Sequence, residues 1–99
     1  MTEYTVGQVN SYIKNMMATD PFLGNIYVKG EASNVKYHSS GHIYFSIKDE
    51  TGAVACVMFR GNAMTGLGFR MENGQQIIAH GSINVYERDG RYQLYVQDI

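Results

Sequence analysis

Cysteine is almost absent: Cys56 stands alone among 99 residues. A single thiol excludes an intrachain disulfide and a four-cysteine zinc site. Its neighbours Val54 and Met58 mark it as a small apolar core residue rather than a reactive one. Long apolar runs are missing too. The 44% of hydrophobic residues is spread along the chain, and no uncharged stretch reaches the roughly 18 residues of a membrane-spanning helix. The start of the chain, with Glu3 among polar residues, has neither the basic-then-apolar pattern of a secretory signal nor an Arg-rich presequence. That points to the cytosol, with no membrane partner. Excess positive charge is lacking as well: eight Lys and Arg against nine Asp and Glu leave a net charge of −1. A domain that coats duplex DNA draws its affinity from cations that displace counterions, so the total argues against one. The charges are uneven, however. From Ala32 through Lys48 lie Lys36, Lys48, His38 and His42 without one carboxylate, and a neutral total can hide a basic patch.

Catalytic signatures are equally scarce. His38 and His42 flank an expected turn and His80 lies far from both, which is no metal-binding spacing. Asp49-Glu50 could hold Mg²⁺, but the pair sits just before Gly52, where acidic residues commonly serve turn geometry. A metal-dependent nuclease would need more converging ligands. There is no phosphate-cradling glycine-lysine loop, dinucleotide fingerprint or Ser/His/Asp set.

What is present is a change of period. Thr5 with Gln8 three residues on forms a capping-box pattern. Val6, Val9, Ile13, Met16 and Met17 follow at helical spacing, predicting one helix over about residues 5–19 with one face packed on the rest of the domain. Asp20-Pro21 ends it, because the residue before proline is pushed out of the α region. Then the period becomes two. Ile26, Val28, Gly30 and Ala32 alternate with Tyr27, Lys29, Glu31 and Ser33, and Ile43, Phe45 and Ile47 with His42, Tyr44, Ser46 and Lys48. A third strand places Val54, Cys56 and Met58 on one side and Ala55, Val57 and Phe59 on the other. Arg60 to Gly74 reads as a glycine-rich crossover loop, with only a weak helical stretch around Asn62–Leu67. A fourth strand carries Ile77, Ala79, Gly81, Ile83 and Val85, and Asp89-Gly90 turns the chain into Tyr92, Leu94 and Val96. Gly30 and Gly81, inside strands, mark bends or bulges.

These elements predict a single all-β domain over residues 1–99: one N-terminal α-helix, then a barrel over about residues 25–98. Three strands, a crossover and two more strands is the order of the five-stranded oligonucleotide-binding (OB) fold, with an SH3-like barrel as the alternative. The leading helix is expected to plug one barrel end.

The face opposite the core collects Tyr27, Lys29, Tyr44, Lys48, Val57 and Phe59, beside Lys36, Tyr37 and His38 in the first connecting loop. Flat rings next to cations suit unpaired nucleotides: bases stack on the rings while Lys and Arg follow the phosphates. Outward tyrosines can also simply strengthen cross-strand pairing. Arg60, after Phe59, has no carboxylate near it in sequence and makes a good phosphate ligand. Arg88 and Arg91 bracket the last hairpin turn, in a loop that commonly lines the groove of this fold; equally, Glu87 and Asp89 could neutralise both.

Five blocks of sequence carry a resemblance: Tyr4–Lys14, Val28–Asn34, His38–Asp49, Val57–Ala63 and Val85–Val96. In this order they resemble the N-terminal domain of the large subunit of bacterial exodeoxyribonuclease VII, over essentially the whole chain. The resemblance implies an N-terminal OB-fold fragment of a longer subunit. It would bind single-stranded DNA and present it to an enzyme that degrades single strands from either end. The cleavage centre and the small-subunit contacts would lie beyond Ile99, so the fragment is expected to carry no catalysis and no cofactor, any Mg²⁺ being used by the complete enzyme. The resemblance supports DNA contacts on Lys36, His38, Tyr44, Phe59 and Arg60. The alternative is a protein-interaction or assembly domain using the same aromatic face.

Overall fold

Thr5 caps the first helix as its sequence predicts: its hydroxyl accepts from Gln8 N–H at 3.1 Å, and Gln8 Oε1 accepts from Thr5 N–H at 2.8 Å. In the computed structural model, which describes all 99 residues, this begins α1 (Val6–Ala18). There follow β1 (Ile26–Tyr37), β2 (Ile43–Lys48), β3 (Ala53–Met58), α2 (Arg60–Gly66), β4 (Gln76–Tyr86) and β5 (Arg91–Asp98). The strands close in the order β1-β2-β3-β5-β4. All neighbours are antiparallel except β3 and β5, which run parallel. This is the expected five-stranded barrel. No helix is long and apolar enough to cross a membrane.

The inward positions of each strand supply the core: Ala32, Ile43, Phe45, Ile47, Cys56, Met58, Ile77, Ala79, Leu94 and Val96 are all buried. Fully burying a side chain such as Leu94 contributes about 1.5–3 kcal/mol. Cys56 is one of these residues, and burial pushes its thiol pKa up to about 12. Since the thiolate is the reactive form, iodoacetamide at about pH 8 is expected to leave Cys56 untouched in the folded chain and to label it once urea opens the barrel. Mass spectrometry distinguishes the two, and rapid labelling of the folded chain would contradict the burial.

Three expectations are corrected. First, α1 packs no apolar face. Of the predicted stripe, Val6, Val9, Ile13 and Met16 are exposed and only Met17 is partly buried; Tyr12 is exposed too, and the helix meets the β4–β5 hairpin through its polar edge. Asn10 donates to the Glu87 carbonyl at 3.0 Å and Lys14 pairs with the Glu87 carboxylate at 3.1 Å. Helical spacing reports that an apolar stripe exists. Which way it points depends on the exit of the chain, here held by Asp20, whose carboxylate accepts from the Phe22 and Leu23 N–H groups.

Second, α1 does not plug the barrel. That task falls to α2 and the segment after it, where Ala63 and Leu67 pack on the core and Met71 is fully buried. Gly61 and Gly66 make α2 a poor helix by propensity, and packing overrides them. Third, β1 is longer than its sequence suggests. Three steps along β1 from Ser33 to Lys36 match two along β2 from Ser46 to Tyr44. The extra residue forms a bulge, with Asn34 at φ 52° and Val35 N–H donating to Asn73 Oδ1 at 2.9 Å. Lys36 and Tyr37 therefore belong to a strand, not a loop.

Candidate nucleic-acid interface

Alternation along β2, β3 and β5 puts Tyr44, Val57 and Tyr95 on the outside of the barrel. Val57 is the Cα partner of both tyrosines, so its side chain lies between theirs and is only 3% exposed. It is a floor rather than a contact surface, which corrects its place among the exposed residues. Rings surround this floor. His38 meets Tyr44 edge-on at 6.1 Å, Phe59 lies 6.1 Å from Tyr95, and His42 meets Phe59 edge-on at 5.2 Å. Tyr44 and Phe59 remain 43% and 46% exposed, enough for a base to reach them.

The β1–β2 loop, residues 38–42, fixes the two histidines. Ser40 N–H donates to His38 Nδ1 at 3.1 Å, and Arg60 N–H donates to His42 Nδ1 at 2.9 Å. A neutral ring that accepts at Nδ1 carries its proton on Nε2, so each histidine keeps an N–H free to donate elsewhere. Gly41 (φ 96°) lies against the stem of Arg60, where a Cβ would come within 2.8 Å of Arg60 Cγ. Glycine there sets the stem beside the loop.

The charges are segregated. Lys14 pairs with Glu87, Lys48 with Glu31 at 3.4 Å, and Arg91 with Asp89 at 3.7 Å. Lys29, Lys36, Arg60, Arg70 and Arg88 have no ion pair, and three of them, Lys36, Arg60 and Arg70, stand around the β1–β2 loop. Glu31, Asp49 and Glu50 gather with Lys48 at the opposite end of β2. The near-neutral total is thus an acidic end and a basic end.

The residues singled out from sequence accordingly divide. Lys36, directly opposite Tyr44 on the neighbouring strand, joins His38, Tyr44 and Phe59 around the rings; Arg60 reaches them only through its backbone N–H to His42, while its side chain lies against Gly41. Tyr37 does not: its Cα partner is the inward Ile43, its hydroxyl accepts from Met71 N–H at 2.7 Å, and Arg70 covers its ring at 4.2 Å. Lys48 is held at the acidic end by Glu31. Tyr27 and Lys29 face the β4 side, where Tyr27 stacks on His80 at 4.5 Å. Arg91 lies four residues before Tyr95, about 13 Å along β5 at strand rise, and Arg88 beside it is unpaired because Glu87 is taken by Lys14. Two members of the ring cluster were missed from sequence, His42 and Tyr95. Tyr95 sits at an outward position of β5, and His42 ends the β1–β2 loop in phase with the outward residues of β2; that alternation was the available signal.

No three His, Cys, Asp or Glu side chains converge as metal ligands. Asp49 serves its turn: its carboxylate accepts from the Thr51 N–H, the Thr51 hydroxyl and the Gly52 N–H, and the Thr51 N–H chiefly holds its pKa below the usual range.

Residues 4–99 match the family described as OB-fold nucleic acid binding domain. The exodeoxyribonuclease 7 large subunit of Lachnoclostridium phytofermentans is 64% identical over 96 residues, which cover 97% of this chain and 24% of that protein. The corresponding subunit of Clostridium botulinum strain Okra is 54% identical over 95 residues, or 96% of this chain and 23% of that protein. The chain therefore spans about a quarter of the length of the curated relatives it matches, and the resemblance carried by its five sequence blocks holds. Among solved structures, asparaginyl-tRNA synthetase from Pyrococcus horikoshii shares the fold, with a TM-score of 0.62 at 17% identity over 89% of this chain and 21% of the synthetase. A closed barrel in this strand order, with a helix between its third and fourth strands and a sequence match from residue 4 to the last residue, makes the chain a member of the OB-fold nucleic acid binding domain family.

Proposed function

We propose that the outer face of β2, β3 and β5 takes up single-stranded DNA. The observation that carries this reading is the run of rings, half-exposed Tyr44 and Phe59 with the more covered Tyr95, next to unpaired Lys36 and with unpaired Arg60 across the β1–β2 loop. Unstacked bases bind to ring faces without regard to sequence, and the cations follow the phosphates. A duplex offers no free base faces, and the small number of cations suits a short single strand. In this reading His38 and His42 donate from Nε2 to phosphate oxygens. Arg91 and Arg88 meet the strand at the other end of β5.

The relatives' name supports a wider role in which the domain holds substrate for an exodeoxyribonuclease; this reading assigns the cleavage centre, any Mg²⁺ chemistry and the small-subunit contacts to the rest of a longer cytosolic subunit. The test is a fluorescence titration of oligodeoxythymidylate into the chain at about 50 mM and 200 mM salt. With about three phosphates neutralised, log affinity should fall against log salt with a slope of about −2. Absence of binding at low salt, or binding indifferent to salt, overturns the reading.

A second reading, assembly with another polypeptide, draws on the exposed apolar stripe of α1 rather than on the rings. Light scattering with and without oligonucleotide separates the two. A dimer that DNA dissociates would put the protein contact on the rings themselves.

A further inference from the structure

Behind the β1–β2 loop, on the side away from Tyr44, lies an open cleft of about 570 Å³. Its walls include Tyr37, Arg60, Met64, Leu67, Phe69 and Arg70, and no carboxylate lines it. Both of its guanidinium groups lack an ion-pair partner, whereas Lys14, Lys48 and Arg91 elsewhere on the surface each pair with an acid. Glu72 faces the adjoining groove with Tyr37 and Arg70, beyond ion-pair distance of Arg70. Phe69 and Met64 are exposed despite their apolar side chains. The Arg70 guanidinium is held 4.2 Å from the centre of the Tyr37 ring, and that ring is itself fixed by the bond from Met71 N–H to its hydroxyl. Such a cation–π contact restrains a long side chain while leaving its N–H donors free.

We propose that this cleft is a second nucleotide subsite, in which Arg60 and Arg70 hold phosphate and Phe69 receives an unstacked base of the same single strand. The proposal rests on the single-strand reading of the outer face and extends it. Arg60 joins the two halves: its backbone N–H fixes His42, which touches Phe59, and its side chain lines the cleft. A strand that leaves the rings past His42 therefore crosses the β1–β2 loop onto a surface with the same chemistry, cations without acids and a ring without a partner. Charge complementarity selects the occupant. Two unpaired guanidinium groups over an apolar wall suit a phosphodiester with a base attached, and they disfavour a purely apolar peptide.

The test compares oligodeoxythymidylates of about four and about twelve nucleotides, the span a single OB fold covers. The wild-type chain should bind the longer strand more tightly. Arg70→Ala should lower affinity for the longer strand roughly tenfold and reduce its salt slope by about 0.7, while leaving the shorter strand unchanged. Met64→Glu, at an exposed position that puts a carboxylate in the cleft without disturbing the Tyr37 contact, should act in the same direction. If Arg70→Ala unsettles the fold, Met64→Glu decides alone. Equal losses for both strands, or no loss for either, overturn the subsite. A Tyr44→Ala, Phe59→Ala chain separates this proposal from the reading beneath it: if its affinity for the short strand is unchanged while Arg70→Ala still weakens the long one, the ring surface fails and the cleft stands.

Discussion

Replacing Tyr44 and Phe59 together with alanine should lower affinity for oligodeoxythymidylate by roughly a hundredfold. Stacking of a base on an aromatic side chain is worth about 1–3 kcal/mol, and a tenfold change in affinity corresponds to about 1.4 kcal/mol. Two lost stacking partners therefore account for the effect from the low part of that range. The fold should survive, because both rings are about half exposed and stand on the outer side of the barrel, away from Phe45, Cys56 and Met58 in the core. The salt slope should stay close to that of the parent chain, since no cation is removed. That separates stacking from phosphate contact: Lys36→Ala should show the complement, a shallower slope with a smaller loss. Fluorescence titration measures affinity and slope, and circular dichroism reports the fold. A folded double variant that binds like the parent removes the rings from the interface.

Gly81→Ala should destabilise the domain by about 3 kcal/mol or prevent its folding. Gly81 faces inward on β4, opposite Ile26 of β1 and Val96 of β5, at the point where β4–β5 pairing shifts register. A Cβ there would collide with the Tyr95 carbonyl oxygen and lie 3.0 Å from the Val96 Cα. These are backbone atoms of a paired strand and cannot swing aside as a side chain does. Overpacking a core commonly costs about 1–3 kcal/mol, and more where the neighbour is rigid. At about 4–8 °C per kcal/mol for a domain of this size, the melting temperature should fall by roughly 12–24 °C. Gly52→Ala is the control, because nothing lies within 4 Å of its added Cβ, and it should melt close to the parent. A Gly81→Ala chain melting within a few degrees of the parent would show that β5 can yield, and Tyr95 with it.

The two effects meet at β5. Leu94 and Val96 hold the strand in the core, while Tyr95 between them stands on the outside beside Val57 and Phe59. The same alternation therefore secures the barrel and delivers a ring to the interface.

Patterns confined to neighbouring residues were legible without coordinates. Thr5 and Gln8 specify the helix start because both partners of the capping box lie within one turn. The alternation of Ile43, Phe45 and Ile47 with Tyr44 and Ser46 specifies a strand and its two faces because side chains on a pleated strand point alternately. The order of such strands led to the barrel. Features that depend on which segments meet were not legible. The bulge at Asn34–Val35 arises from pairing with β2 and a bond to Asn73, so nothing local announces that Tyr37 turns toward Arg70 and away from Tyr44. Helical spacing in α1 identified an apolar stripe without showing that it faces solvent.

The sequence by itself thus determined the strands, their faces and the capped helix, since these follow from backbone geometry and side-chain spacing within a few residues. Tertiary structure alone decided which rings stand together, which cations lose their acids and which helix closes the barrel. Those outcomes depend on distances between residues far apart in the chain, and such distances exist only once β3 lies beside β5 and the ladder closes.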